Sequence, residues 1–162
     1  FEGPADRSIP GTAQHMADVS HGSIFATSQF KRLNGAPLCW GSRKQKSIAL
    51  SSCESEIVAL SEAAKEVIYL RKFVRGLVPS LPDGPTVLST DNKAARDLSY
   101  NPEHHDRSKH IARRHFFIRD MVEAQEIVVP LVSTDDNDAD FFTKPLPPKR
   151  FKMLRRKVMN LR

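Results

Sequence analysis

Four acidic residues spread along the chain carry the chemistry this sequence can offer. They are Asp18 in Ala-Asp-Val-Ser-His-Gly, Glu56 in Ser-Cys-Glu-Ser-Glu-Ile-Val-Ala, Asp91 in Ser-Thr-Asp-Asn, and Asp140 in Ala-Asp-Phe-Phe-Thr-Lys-Pro-Leu. The last three sit beside a predicted strand end or on a predicted helix start. Carboxylates placed that way can converge at one edge of a sheet and hold two divalent cations, which take oxygen ligands. The chemistry such a set serves is two-metal hydrolysis of a phosphodiester. Each acid also has a plainer role open to it. Glu56 can be a solvated acid in the first turn of a helix, where the dipole favours it. Asp91 can cap the helix that follows it, and Asp140 can be one surface acid among Asp135, Asp136 and Asp138. Glu54 competes with Glu56 but has the position of a capping acid, and Asp6 competes with Asp18.

The elements that must position these residues follow from pattern and punctuation. Residues 1–12 hold Gly3, Pro4, Pro10 and Gly11 without periodicity and read as a leader or linker, with a single domain over 13–162. A weak strand is expected over Gln14–Val19. Two further strands, Ser23–Leu33 and Ala36–Trp40, are joined by the turn signal Asn34-Gly35, and Ser47–Leu50 either extends the third or leads to a helix.

Ser51-Ser52-Cys53-Glu54 has capping-box spacing. A helix over about 53–75 follows, with Ile57, Leu60, Ala64, Val67, Leu70 and Val74 at helical spacing. A strand over 86–90, a short helix over 92–98, and a basic helix over 107–124 come next. The strand Ile127–Val132 contains Pro130, which assigns it to a sheet edge. A helix start over 136–142 and a basic C-terminal helix over 149–161 complete the chain. On that last helix Phe151, Leu154, Val158 and Leu161 share one face, more consistent with core packing than with a membrane anchor. Hairpins followed by strand–helix–strand passages give a mixed α/β sheet with helices on its faces. Trp40 and Tyr69 are expected in the core rather than as base-stacking groups.

Bulk composition narrows the partners. The chain has 162 residues, 40% hydrophobic and 27% charged, which suits one globular domain. No apolar run reaches the roughly 18 residues a membrane span requires. The chain begins at Phe1 with neither an initiator Met nor a signal-peptide core, and reads as a segment of a longer chain. Cys39 and Cys53 form neither a disulfide framework nor a zinc set, which points to an intracellular compartment. A net charge of +6 favours a polyanionic partner. Arg107, Lys109, His110, Arg113, Arg114, His115 and Arg119 crowd one helix, either as a phosphate-tracking ridge, for which the first five are the candidates, or as a solvated face. His110 has a packed structural role open to it as well.

Several words, in order, resemble the ribonuclease H domain of copia-type retrotransposon Pol polyproteins. They are residues 33–45 (Leu-Asn-Gly-Ala-Pro-Leu-Cys-Trp-Gly-Ser-Arg-Lys-Gln), 47–56 (Ser-Ile-Ala-Leu-Ser-Ser-Cys-Glu-Ser-Glu) and 59–66. Asp91-Asn92, Ser108-Lys109-His110-Ile111, Phe117-Ile118-Arg119 and Ala139-Asp140-Phe141-Phe142-Thr143-Lys144-Pro145-Leu146 complete the set. The resemblance covers about residues 17–162.

It implies the five-stranded ribonuclease H fold and hydrolysis of the RNA strand of an RNA–DNA hybrid with two Mg2+ ions, Mn2+ being the alternative. Glu56 then corresponds to the helix carboxylate, Asp91 to the aspartate ending the fourth strand, Asp140 to that of the last helix, and Asp18 to that of the first strand. A reverse transcriptase domain upstream in the same polyprotein, and a cytoplasmic (virus-like particle) or nuclear setting, are further implications.

The chain departs from the family pattern near its start. The first strand is less apolar, the stretch from Asp18 to Leu33 is several residues short, and Ser20 stands where a second acid is usual. Ala112 also replaces a usual acid. A relic that binds nucleic acid or scaffolds a neighbouring domain is the alternative those departures leave open. An integrase-like member of the wider fold accords less well with the order of the carboxylates and the Thr-Lys-Pro-Leu tail.

Overall fold

The computed structural model describes residues 12–20, 24–33, 36–46, 49–80, 84–101, 109–142 and 145–161, with the backbone alone for 12–20, 24–30, 32–33, 36 and 109–111. Its elements run in the order β1 (Thr12–Ser20), β2 (Ile24–Leu33), β3 (Ala36–Lys44), α1 (Ser52–Leu77), β4 (Thr86–Ser89), α2 (Lys93–Tyr100), α3 (Lys109–Glu123), β5 (Ile127–Val128) and α4 (Pro148–Val158). Two short 3-10 segments, Thr134–Asp136 and Asp138–Phe142, lie between β5 and α4. The strands form one sheet in the order β3-β2-β1-β4-β5. β1, β2 and β3 pair as antiparallel neighbours, whereas β1 with β4 and β4 with β5 are parallel.

Helix α1 begins where its sequence says it should. The Ser51 hydroxyl accepts from the Glu54 amide at 3.1 Å, and the Glu54 carboxylate reaches back to accept from the Leu50 amide at 2.7 Å. The first satisfies a donor that a helix start leaves open, and the second pins the residue that precedes the cap. The helix then buries Ile57, Leu60, Ala63, Ala64 and Val67 against Leu88 of β4, Ile118 of α3 and Ile127 of β5. Glu66 ties the helix to two strands, pairing with Lys31 of β2 and with Arg43 of β3 at 2.7 Å. Lys31 is buried despite its charge, so its ion pair offsets part of the desolvation cost. At the far end Arg71 pairs with Glu126 and donates to the Gly84 carbonyl at 3.0 Å.

Several expectations need correction. Trp40 and Tyr69 are exposed, not in the core. Lys31 reaches α1 and its register partner is Cys39, so the next residue, Trp40, falls on the opposite face of an edge strand. Tyr69 lies two residues past buried Val67, about 200° around the helix, and misses the sheet. Of the apolar stripe on α4 only Leu154 and Val158 are buried; Phe151 and Leu161 are exposed.

Other differences concern extent. The expected strand 127–132 shortens to Ile127–Val128, with an isolated bridge from Thr90 to Leu131. Pro130 has no N–H to continue the ladder, though its carbonyl accepts from the Thr90 amide at 3.1 Å. The helix start over 136–142 is 3-10 in geometry. Thr12, assigned to a leader, is the first residue of β1, while residues 1–11 lie outside the described residues.

Leu60 is fully buried and Tyr69 is not, so the two test the packing directly. Leu60→Ala should cost about 2–5 kcal/mol of unfolding free energy by urea denaturation. Tyr69→Ala should stay within about 0.5 kcal/mol of the parent.

Candidate active site

The site is assembled where α1 crosses the end of β4. Glu56 lies one turn into α1, a helix held against β4 by Ile57 and Leu60, which pack with Leu88. This makes Glu56 buried, at 3% exposure, and excludes the solvated surface role open to it in the sequence. A buried carboxylate requires hydrogen-bond donors. Thr90 supplies one: its Oγ1 donates to Glu56 Oε2 at 3.2 Å. The same oxygen accepts from the Asn92 amide at 3.2 Å, so Thr90 links the helix carboxylate to the turn that carries Asp91.

Asp91 is not the helix cap. Asn92 takes that role, its Oδ1 accepting from the Ala95 amide at 3.0 Å. Asp91, half-buried, is thereby left outside the capping arrangement, at the end of β4 beside the Thr90–Glu56 pair.

Asp140 lies in the 3-10 segment Asp138–Phe142, which rests against β1 and β2 and beneath α4. It is fully buried, and Arg150 of α4 donates to its Oδ2 at 2.9 Å. Its neighbour Asp138, also fully buried, pairs with Lys157 at 2.8 Å. Asp140 is therefore no plain surface acid; exposed Asp135 and Asp136 fit that description.

Asp18 is on β1, opposite Ala26 of β2. The pairing of β1 with β4 sets Gln14 opposite Ser89. Counting on in that register brings Met16 level with Asp91 and Asp18 two residues beyond, about 7 Å further along the strand. The four acids thus sit on α1, β1, the end of β4 and the 3-10 segment, and β1 lies in contact with each of the other three elements.

The oxygen-only donor set is of the kind magnesium prefers. As they stand, no three acidic, histidine or cysteine side chains among the described residues are close enough to share one cation. The donors fit in kind, and a bound ion would have to draw Asp140 from its ion pair.

The basic helix is α3. Arg113 is exposed, while Arg114 is half-buried. Arg119, by contrast, is engaged with Glu123 at 3.4 Å and lies over the Phe116 ring. Arg107 is outside the described residues, as are the side chains of Lys109 and His110. Two participants were not singled out from sequence: Thr90, whose hydroxyl is signalled only by its place at a strand end before Asp91, and Arg150, lost in a run of C-terminal cations.

The arrangement of this sheet and its helices is the ribonuclease H-like fold. It is similar to ribonuclease H1 of the halophilic archaeon Halobacterium salinarum, with a TM-score of 0.58 and 14% identity, over 80% of this chain and 89% of that one. It is also similar to LC11 ribonuclease H1 in complex with an RNA/DNA hybrid, with a TM-score of 0.55 and 10% identity, over 78% and 88% of the two chains. At such identities the likeness concerns fold alone.

In sequence, 133 residues, 82% of the chain, are 36% identical to the retrovirus-related Pol polyprotein from transposon TNT 1-94 of Nicotiana tabacum. The chain spans 10% of that relative's length. No protein-family model matches the chain. Fold and sequence together place the chain with the ribonuclease H domains of copia-type retrotransposon Pol polyproteins.

Thr90→Val removes the hydroxyl that serves Glu56 and the Asn92 amide while keeping shape. It should cost about 1–3 kcal/mol in chemical denaturation, because a buried carboxylate loses a donor. A variant as stable as the parent would show that the Thr90 hydroxyl does not support the site.

Proposed function

We propose that this domain is a metal-dependent endonuclease that hydrolyses the RNA strand of RNA–DNA hybrids during retrotransposon reverse transcription. The observation that carries this reading is the burial of Glu56 against Thr90, beside Asp91, in a ribonuclease H-like fold. Burying an acid at a strand end is costly, and that cost suits a site that will hold cations. The fold likeness to a ribonuclease H1 bound to a hybrid supports the substrate class.

The protein's own residues have separable tasks in this reading. Two Mg2+ ions, or Mn2+, held by Asp18, Glu56, Asp91 and Asp140, would supply a Lewis acid and an activated water. Thr90 holds Glu56 to one orientation and couples it to the Asp91 turn. Arg113 and Arg114, with Arg107, Lys109 and His110, track the phosphates of the bound hybrid by salt-dependent contacts. The ribose 2′-hydroxyl, which distinguishes RNA from DNA, is read beside the Glu56 carboxylate. The sheet is, on this reading, the complete five-stranded sheet of the fold, and residues 13–162 make one domain. In its setting the domain would act with a reverse transcriptase domain upstream in the same polyprotein, within a cytoplasmic virus-like particle or the nucleus.

Cleavage of an end-labelled RNA–DNA hybrid in magnesium tests the proposal. The parent should cut the RNA strand alone, and Asp91→Asn should lose at least about a hundredfold in rate, the scale of one lost electrostatic partner in an active site. A parent that binds the hybrid but leaves it whole would instead be a nucleic-acid-binding relic. The ridge has its own signature. Replacing Arg113 and Arg114 together with Ala should flatten the dependence of log binding constant on log salt by up to about 2 for two lost phosphate contacts.

A further inference from the structure

The C-terminal helix is fastened to the acidic 3-10 segment at two points on one face. Arg150, in its first turn, donates through Nη2 to Asp140 Oδ2 at 2.9 Å and to the Thr134 carbonyl at 2.6 Å. Its Nη1 lies 3.2 Å from Asp135 Oδ1. Two turns on, Lys157 pairs with Asp138 at 2.8 Å, and Leu154 and Val158 are buried between and beside these contacts. The two ion pairs differ in kind. Asp138 is not one of the candidate ligands, so its pair with Lys157 serves docking of α4. Asp140 is a candidate ligand, and the guanidinium occupies one of its two oxygens.

A guanidinium and a divalent cation cannot both sit close to one carboxylate oxygen, because like charges repel strongly where water is scarce. Asp140 is fully buried and Arg150 a quarter exposed, so screening between them is weak. Arg150 has somewhere else to go. Nη1 already faces the exposed Asp135 carboxylate, and Nη2 has a second hydrogen for the Thr134 carbonyl, so the planar group can keep both contacts while releasing Oδ2.

From this arrangement we infer that Arg150 is a positioning residue that holds the Asp140 carboxylate until a divalent cation displaces it towards Asp135 and Thr134. Cation loading is thereby coupled to the seat of the C-terminal helix: each Mg2+ that takes Asp140 does so in competition with a built-in cation. The inference rests on the metal-site reading above. It adds a regulatory element, a low Mg2+ affinity set by α4 rather than by the four acids alone.

The test is Mg2+ binding by isothermal titration calorimetry to the whole domain, for the parent, Arg150→Gln, Arg150→Lys and Asp91→Asn, each first melted in EDTA to establish that it is folded. Arg150→Gln should bind Mg2+ about fivefold or more tightly, the lower end of coupling between two ligands of one site. It should also melt at a lower temperature than the parent in EDTA and recover part of the difference when Mg2+ is added. If Arg150→Gln does not fold, Arg150→Lys decides in the same direction, since a single ammonium nitrogen does not reproduce the two guanidinium nitrogens that reach Asp140 and Asp135 at once. Binding lost in Asp91→Asn but unchanged or weaker in the Arg150 variants overturns this inference and leaves the metal site standing. No Asp91-dependent binding in the parent or in either Arg150 variant overturns both. Binding that appears only in the Arg150 variants would support the inference in its strongest form, with Arg150 as a lock.

Discussion

The cost of burying carboxylates organises this protein. An ionised acid removed from water is tolerated only with donors or a cation beside it. Glu56, Asp138 and Asp140 are all within the packed body, and each has a dedicated partner: Thr90, Lys157 and Arg150. Two of those partners belong to α4. The C-terminal helix is therefore part of the electrostatic design of the acidic edge, not only a cover for apolar surface. Without that cationic face the segment Asp138–Phe142 would have to turn its acids back to water.

The apolar core supplies the rigidity on which this depends. Helix α1 is the hub, because one face meets β4, α3 and β5 through Ile57, Leu60, Ala64 and Val67. Its amino-terminal turns are the best held, capped by Ser51 and Glu54 and joined to Gln45 through the Ser55 carbonyl at 2.9 Å. Glu56 sits within those turns. A carboxylate on a capped, buried helix start keeps its position without strain, which suits the cation-holding role proposed for Glu56. The carboxyl-terminal half of the helix has looser demands and leaves Tyr69, Phe73 and Leu77 exposed.

Much of the fold was legible because its signals are local. The capping spacing at Ser51-Ser52-Cys53-Glu54 and the 3.6-residue repeat after it locate α1 to within two residues at each end. The hairpin signal at Asn34-Gly35 and the edge assignment of Pro130 agree with the strand order. Misjudged elements lacked such signals. Trp40 is large and apolar in a strand, and which face of that strand is covered depends on register, not on its own neighbours. Asp91 and Asn92 are both capping residues by type, and only the chain path at the end of β4 chose Asn92.

The sequence by itself determined the acids, their order, the helices that carry them and the basic balance of the whole, because these reside in residue type and short-range periodicity. It also carried the resemblance to ribonuclease H domains of copia-type Pol polyproteins. Only the tertiary structure decided which acids are buried and what each one meets. Thr90 reaches Glu56 across 34 residues, and Arg150 reaches back over 10 to Asp140 and further to Thr134. A partner chosen across an intervening helix or strand leaves no local trace, since it is set by packing geometry rather than by spacing. So Arg150, one cation among several in its helix by sequence, becomes the residue that holds the last acid of the candidate site.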